Sequence, residues 1–149
     1  MTCEEDVCLS DEQTISDINR NTSILGWEAQ NYTEFYGRKL KDGLIYRLGT
    51  FEPRVKVKSM SRLGHNADIL PKNFSSLRNG WIISDIRDQG WCGSSWAVST
   101  ASVGSDRITI NNKNIIDVSS QHLLSCVRHQ QGCTGGHLDN AWRYLNRMG

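Results

Sequence analysis

The sequence predicts a compact, largely helical domain after residue 70, preceded by a segment that lies extended on another surface. Three helical patterns of apolar residues follow Pro71, and they are the main basis of this prediction. The stretch 19–50, in contrast, mixes aromatic residues with glycines and shows no long helical period. With 149 residues, of which 38% are hydrophobic, the chain has room for one ordinary domain or two small segments.

The charge balance excludes some classes of partner. The chain has 17 Lys and Arg against 16 Asp and Glu, so its net charge of +1 supplies no overall field for nucleic acid or an anionic membrane. No run approaches the roughly 18 apolar residues that a membrane-spanning helix requires. We therefore expect no nucleic-acid partner and no membrane span.

The N-terminal part contains one short helical pattern. Ser10 precedes the residues DEQTISDIN, in which Ile15 and Ile18 lie three apart and acidic residues occupy the first turn. We predict a short helix that begins after Ser10.

A period-two run, Arg54-Val-Lys-Val-Lys58, lies between the only two prolines, Pro53 and Pro71. The alternation fits an exposed strand, a solvated linker or a basic groove for polyanions, and the linker is the preferred interpretation. We place the domain boundary at Leu70–Pro71.

Three helices are predicted in the domain that follows. The first begins after Gly93–Ser94, the second follows a cap at Asp117–Ser119 and runs through Cys126, and the third stops at Gly149. The predicted apolar faces contain Ala97, Val98, Ala101, Val103 and Ile108 in the first helix and Leu138, Ala141, Trp142, Leu145 and Met148 in the third.

The cysteines and glycosylation sequons are informative about the cellular compartment in which the protein resides. The start of the chain is acidic and has no apolar signal-peptide region, and Cys3 and Cys8 stand at its extreme end, so we expect a piece of a longer protein. Three N-x-[ST] sequons, at Asn21, Asn31 and Asn73, are candidate glycosylation sites if the protein is secreted. An odd cysteine count leaves one thiol without an internal partner.

The residues Asp88–Ala97, DQGWCGSSWA, form the motif that indicates which chemistry the protein's family performs. The pattern C-G-[SA]-C-[WY] surrounds the nucleophile of papain and cathepsin cysteine proteases, and here Ser95 stands in the nucleophile position. Leu123–Cys126 and the motif Gly132–Gly136 extend the match in the right order. The sequence resembles the papain family, and Leu70–Phe74 and Ser105–Ile108 resemble its cathepsin B branch. Serine in place of the nucleophile is similar to the tubulointerstitial nephritis antigen group of secreted matrix glycoproteins.

The resemblance implies an α+β, papain-like (cathepsin B-like) fold. Residues 1–18 would end a Cys-rich module, 19–69 would form a propeptide-like segment with a linker, and 70–149 would form the N-terminal part of the peptidase domain. That part contains most of the helical half, and the half that forms the β-barrel is expected to be absent.

Site roles also follow from the resemblance. Gln89 would donate to the oxyanion, Ser95 would stand where the thiol attacks, and Trp96 would pack beside the cleft. Gly135 and Gly136 would form the backbone wall that pairs with a substrate strand. Amide donors suit developing negative charge, and glycines admit a second backbone at close range.

Ser95 changes the functional prediction, because the family's chemistry needs a thiolate and a hydroxyl is far less acidic. Loss of the nucleophile costs about a million-fold in turnover in another hydrolase. The partner His and Asn are expected about 130–150 residues downstream, beyond Gly149. The histidines at 65, 122, 129 and 137 do not match the catalytic position and are interpreted as surface residues.

The cysteines leave three interpretations. Cys92 could be a nucleophile, or Cys126, His129, Cys133 and His137 could hold zinc. The resemblance instead pairs Cys92 with Cys133, a bridge that stabilises by about 4 kcal/mol in the chain-entropy model. Cys126 would then be unpaired in this chain, a 3–8 bridge stays open, and no cofactor is expected.

We expect a secreted protein without peptidase activity, whose cleft and surface bind extracellular-matrix or other secreted ligands. Residual proteolytic or esterase activity through Ser95 is the alternative. A third hypothesis is that the propeptide-like stretch inhibits active relatives by lying in their clefts.

Overall fold

The computed structural model describes residues 6–54, 71–76 and 85–148. This part of the chain contains six α-helices, two short 3-10 turns and one two-stranded sheet. The helices are α1 (Glu12–Asn19), α2 (Thr22–Leu25), α3 (Leu40–Tyr46), α4 (Ser95–Asn112), α5 (Ser120–Cys126) and α6 (Leu138–Met148); the strands are β1 (Thr50–Phe51) and β2 (Gly136–His137); the 3-10 turns are Thr33–Phe35 and Gly132–Thr134.

The core lies where α4 packs against α5 and α6, so the three helices predicted after Pro71 are present. The buried side of α4 is built largely from small residues, which let the neighbouring helices approach closely. They are Ala97, Thr100, Ala101, Gly104 and Ser105. The buried hydroxyls of Thr100 and Ser105 donate to carbonyls one turn earlier, so neither is left unsatisfied.

Part of the predicted apolar face was wrong. Val103 is 43% exposed, and Ile108, Trp142 and Met148 line an open apolar groove between α4 and α6 instead of the closed core. The reason is that α4 meets its neighbours through its small residues, whereas a hydrophobic pattern weights large side chains. Ala97, Ala101 and Ala141 are fully buried.

Two helix starts differ from the prediction. Asp11, and not Ser10, caps α1 by accepting from the backbone N–H groups of Gln13 and Thr14. Hydrogen bonds from the hydroxyl and the N–H of Thr14 hold the pKa of Asp11 below its ordinary value of 3.8. Ser94 occupies the position before α4, but its side chain makes no capping bond.

The second cap agrees with the prediction. Ser119 caps α5 by accepting from the N–H of His122 at 3.1 Å, which satisfies one of the free donors at the helix start.

Residues 6–54 form no core of their own, as expected, and in this range only Gly43 is buried. Residues 19–50 were expected to contain no long helical period, and the two helices found there, α2 and α3, are short. A Cβ at Gly43 would lie 2.5 Å from Cδ1 of Leu9, so α3 packs tightly on the N-terminal segment. Helices of four and seven residues are too short to produce a readable period.

Several predictions concern residues outside the described ranges. These are the Leu70 side of the domain boundary, the run 55–58, Cys3, His65 and Gly149. Among the residues that are described, no helix is long and apolar enough to cross a membrane.

Candidate functional site

A disulfide fixes the loop that leads into α4. Cys92 and Cys133 are bonded (S–S 2.10 Å), the pairing that the resemblance implies. The N–H of Gly93 donates to the carbonyl of Cys133 at 2.8 Å. The start of α4 is thereby held beside the Gly132–Gly136 motif.

Ser95 is the first residue of α4 and is partly exposed. Its Oγ lies 2.8 Å from Oγ1 of Thr50. Within the described ranges, no imidazole or carboxylate hydrogen-bonds to this hydroxyl. The group at the nucleophile position therefore has another hydroxyl, and not a base, as its side-chain partner.

The amide of Gln89 is already engaged. Its Nε2 donates to the carbonyls of Arg47 at 2.8 Å and Cys92 at 2.9 Å. The donor expected to face an oxyanion thus binds the backbone of a segment that precedes the helical domain. We call residues 47–52 the cleft segment.

The cleft segment pairs with the glycine wall. β1 runs parallel to β2, with Thr50 opposite Gly136 and Phe51 opposite His137, and the N–H of Gly136 donates to the carbonyl of Gly49 at 2.8 Å. The chain's own strand therefore uses the edge that the resemblance reserves for a substrate strand.

Glycine permits this close approach. Gly49 has a φ of 122°, and a Cβ there would lie 2.0 Å from the carbonyl oxygen of Gly93. A Cβ on Gly136 would lie 2.7 Å from the ring of Trp96. Trp96 itself is fully buried and donates from Nε1 to the carbonyl of Gly132 at 3.2 Å. It supports the wall from behind, beside the cleft, and does not itself form the cleft surface.

Arg47 anchors one end of the cleft segment. Its guanidinium, whose side chain is only 19% exposed, donates to the carbonyl of Gly90 at 2.8 Å and pairs with Glu34 at 3.0 Å and Asp88 at 3.2 Å. It also lies 5.4 Å from the centroid of the Trp91 ring. A cation placed between two carboxylates and an aromatic face holds this backbone in one position.

Two described histidines have partners away from Ser95. His137 lies with Nδ1 2.6 Å from the carbonyl of Glu52, at the other end of the cleft segment. His122 lies with Nε2 2.9 Å from the hydroxyl of Tyr144. Neither histidine forms a nucleophile–base pair with Ser95.

The disulfide contradicts two earlier hypotheses. Cys92 is not a free thiol, so it is not a nucleophile. The zinc set of Cys126, His129, Cys133 and His137 loses Cys133, because a disulfide sulfur is not a thiolate ligand. No metal-binding group of three or more ligands occurs among the residues that the structure describes.

Two further cysteines lie within the described ranges, one with a free thiol and one in a disulfide. Cys126 is an exposed free thiol, and its sulfur lies 3.8 Å from Nδ1 of His122. Cys8 is disulfide-bonded. The hypothesis of a 3–8 bridge involves Cys3, which falls outside the described ranges.

Sequence reasoning missed the residues that contact the site from outside the helical domain, namely Thr50 and Arg47. For Thr50, the available indication was the resemblance of residues 19–69 to a propeptide. Nothing in the pattern identified Arg47, because its partners lie 13 and 41 positions away along the chain.

The family model described as papain family cysteine protease matches residues 70–149, more than half of the chain. The chain belongs to the papain family. This agrees with the helical arrangement around α4 and with the position of the cysteine–serine motif at its start. The fold is papain-like, of the cathepsin B type, and the described part is mostly helical with two short strands.

Several relatives match this papain-family chain over nearly its whole length, including the residues before 70. It is 42% identical to the tubulointerstitial nephritis antigen-like protein of Mus musculus and 38% identical to the tubulointerstitial nephritis antigen of Homo sapiens, over 99% of its length in each case. It covers 33% and 32% of those proteins, about a third of their length. Procathepsin B S9 from Trypanosoma congolense is similar in structure, with a TM-score of 0.70 at 28% identity, over 94% of this chain and 50% of that one.

Proposed function

We propose that this papain-family protein is catalytically inactive and acts outside the cell as a ligand-binding matrix glycoprotein. The observation that carries the proposal is the state of the nucleophile position. A serine hydroxyl stands there, and its partner is the hydroxyl of Thr50 at 2.8 Å.

The chemistry of a hydroxyl explains why this position is inactive. The N-terminus of α4 carries a partial positive charge, which lowers the pKa of a cysteine thiol into a useful range. A hydroxyl is several pKa units less acidic than a thiol, so it needs a base placed to remove its proton. In the described part of the chain the contact of Ser95 is a neutral hydroxyl, which is no base.

The cleft segment supports the same conclusion. It covers the three places where a substrate would be held. The hydroxyl of Thr50 contacts that of Ser95, and the backbone carbonyl of Arg47 accepts from Gln89. The carbonyl of Gly49 accepts from the N–H of Gly136. We infer that residues 19–69 correspond to a propeptide and 70–149 to the peptidase-like domain, with 1–18 ending a separate Cys-rich module. The similarity to a procathepsin over 94% of the chain supports a propeptide followed by a peptidase-like domain.

Secretion is supported by covalent chemistry. The Cys92–Cys133 disulfide is typical of oxidising compartments, where disulfides persist. The sequon residues Asn21 and Asn73 are exposed, as attachment of a glycan requires. The likeness to the tubulointerstitial nephritis antigen proteins supports an extracellular-matrix location, with matrix or secreted proteins as ligands.

The test uses the full-length protein that contains this chain, assayed with dipeptide amide and ester substrates. We expect the wild type and a Ser95→Ala variant to be equally inactive. Hydrolysis by the wild type that disappears in Ser95→Ala would overturn the proposal and establish Ser95 as a working nucleophile.

A gain-of-function pair sharpens the test. Ser95→Cys restores the family's nucleophile, whereas Ser99→Cys places a thiol one turn later on the exposed side of the same helix. Peptidase activity that appears in the first variant and not in the second would show that Ser95 alone silences the site.

A further inference from the structure

A groove rich in arginine lies away from the cleft. It has a volume of about 750 Å³ and runs between the turn after α5 and one face of α6. Arg143 and Arg147 contribute from α6, Arg128 from the turn, and Arg54 from the residues after β1. Four guanidinium groups from three separate parts of the chain thus meet at one surface.

The positive charge of this groove is poorly neutralised. Its only carboxylate among the described residues is Asp139, which pairs with Arg143 at 3.9 Å. Arg54, Arg128 and Arg147 are exposed and have no ion pair within the described ranges. Three uncompensated positive charges therefore converge in a chain whose net charge is only +1.

The placement of these charges costs stability. Arg143 and Arg147 lie four residues apart on α6, where like charges are destabilising by a few tenths of a kcal/mol. A surface that concentrates unpaired cations in this way is suited to an anionic ligand.

We propose that this groove binds a sulfated polysaccharide of the glycosaminoglycan class. The planar guanidinium group donates two parallel hydrogen bonds to oxyanions such as sulfate, and several guanidinium groups at one surface suit a polymer that carries many sulfates. Two aromatic side chains line the described part of the groove, the half-buried Tyr144 and the exposed His129. The groove therefore offers one exposed ring and lacks the succession of stacking platforms that single-strand nucleic-acid sites use. The proposal rests on the extracellular location inferred above.

The test measures binding of the full chain to a size-defined heparin oligosaccharide by calorimetry at about 0.1 M salt. The triple variant Arg128→Glu, Arg143→Glu, Arg147→Glu is expected to weaken binding about a hundredfold, roughly fivefold for each exposed charge. Arg107→Glu is the matched control, since Arg107 is an exposed arginine of α4 with no ion pair in the described ranges, outside the groove. We expect this control to change the affinity less than twofold.

A second variant controls for misfolding of the triple variant, because the triple variant removes the ion pair between Arg143 and Asp139 in α6. Arg128→Gln with Arg147→Gln disturbs no described ion pair and is expected to weaken binding about tenfold. Unchanged heparin affinity in this variant, or heparin protection from hydrogen exchange that falls outside Arg54 and residues 126–148, would overturn the proposal. Equal binding of hyaluronan, which lacks sulfate, or of an oligonucleotide would also overturn it. None of these results depends on peptidase activity, so the two proposals fail separately.

Discussion

At the scale of single residues, the contact between Ser95 and Thr50 defines the site. The signature around Cys92 was enough to locate Ser95 from the sequence, because five consecutive positions constrain one another. Its partner was not predictable, since a hydroxyl 45 positions earlier carries no pattern of its own. The residue at the nucleophile position could therefore be predicted from the sequence, whereas its hydrogen-bond partner could not.

The three sequons differ in accessibility, and this leads to a prediction. Asn21 and Asn73 are exposed, but Asn31 is half-buried and its Oδ1 is buried without a hydrogen-bond partner among the described residues. A glycan on Asn31 would have to displace the packing around it. In a secretory expression host we expect glycans on Asn21 and Asn73 and none on Asn31.

Gel mobility of three single variants checks this expectation. Asn21→Gln and Asn73→Gln should each remove one glycan, and Asn31→Gln should leave the mobility unchanged. A faster-migrating Asn31→Gln protein would contradict the assignment.

At the scale of elements, the cleft segment depends on very few residues. β1 is two residues long, and its position is set by the Arg47 anchor and by the close approach at Gly49. The sequence predicted an extended segment on another surface, which is correct for this part. The helices α2 and α3 were not predicted, because short helices are stabilised by tertiary contacts that no local pattern records.

Gly49→Ala is expected to detach the cleft segment from the wall. The added Cβ would meet the carbonyl oxygen of Gly93 at 2.0 Å, and backbone atoms cannot yield as a flexible side chain does. The hydrogen bond from the N–H of Gly136 to the carbonyl of Gly49 is then lost, so hydrogen exchange at the Gly136 amide should accelerate.

Gly26→Ala is the matched control for this prediction. Gly26 also has a positive φ, 72°, but a Cβ there meets nothing within 4 Å. It should cost about 1 kcal/mol of backbone strain and leave exchange at Gly136 unchanged. Continued protection of Gly136 in Gly49→Ala would show that the close approach is not what positions the strand.

At the scale of the whole molecule, the helical domain was the most predictable part. Three helices were expected after Pro71, and α4, α5 and α6 occupy those places. The packing surface was predicted less well, since Ile108 was assigned to the apolar face of α4 and lies 38% exposed. Helical periodicity indicates which face is apolar, but the contact is made where small residues allow two backbones to approach.

The Cys92–Cys133 disulfide is expected to contribute much of the stability of this domain. It spans a sequence separation of 41 residues, and closing such a loop is worth about 4 kcal/mol in the chain-entropy model. Replacing both cysteines by serine should lower the free energy of unfolding by roughly that amount, measured by urea denaturation.

Cys126→Ser is the control for the disulfide variant, because Cys126 is an exposed free thiol in this chain. It should change the free energy of unfolding by less than about 0.5 kcal/mol. Equal midpoints for the double variant and this control would mean that the bridge adds no stability.

The covalent attachment of the cleft segment has a further consequence. A segment that belongs to the same chain competes with any added ligand at an effective concentration on the order of millimolar, set by its tether. A soluble ligand at micromolar concentration is therefore displaced from the cleft even when its intrinsic affinity equals that of residues 47–52. Recognition of other molecules then falls to the outer faces, of which the arginine groove is one.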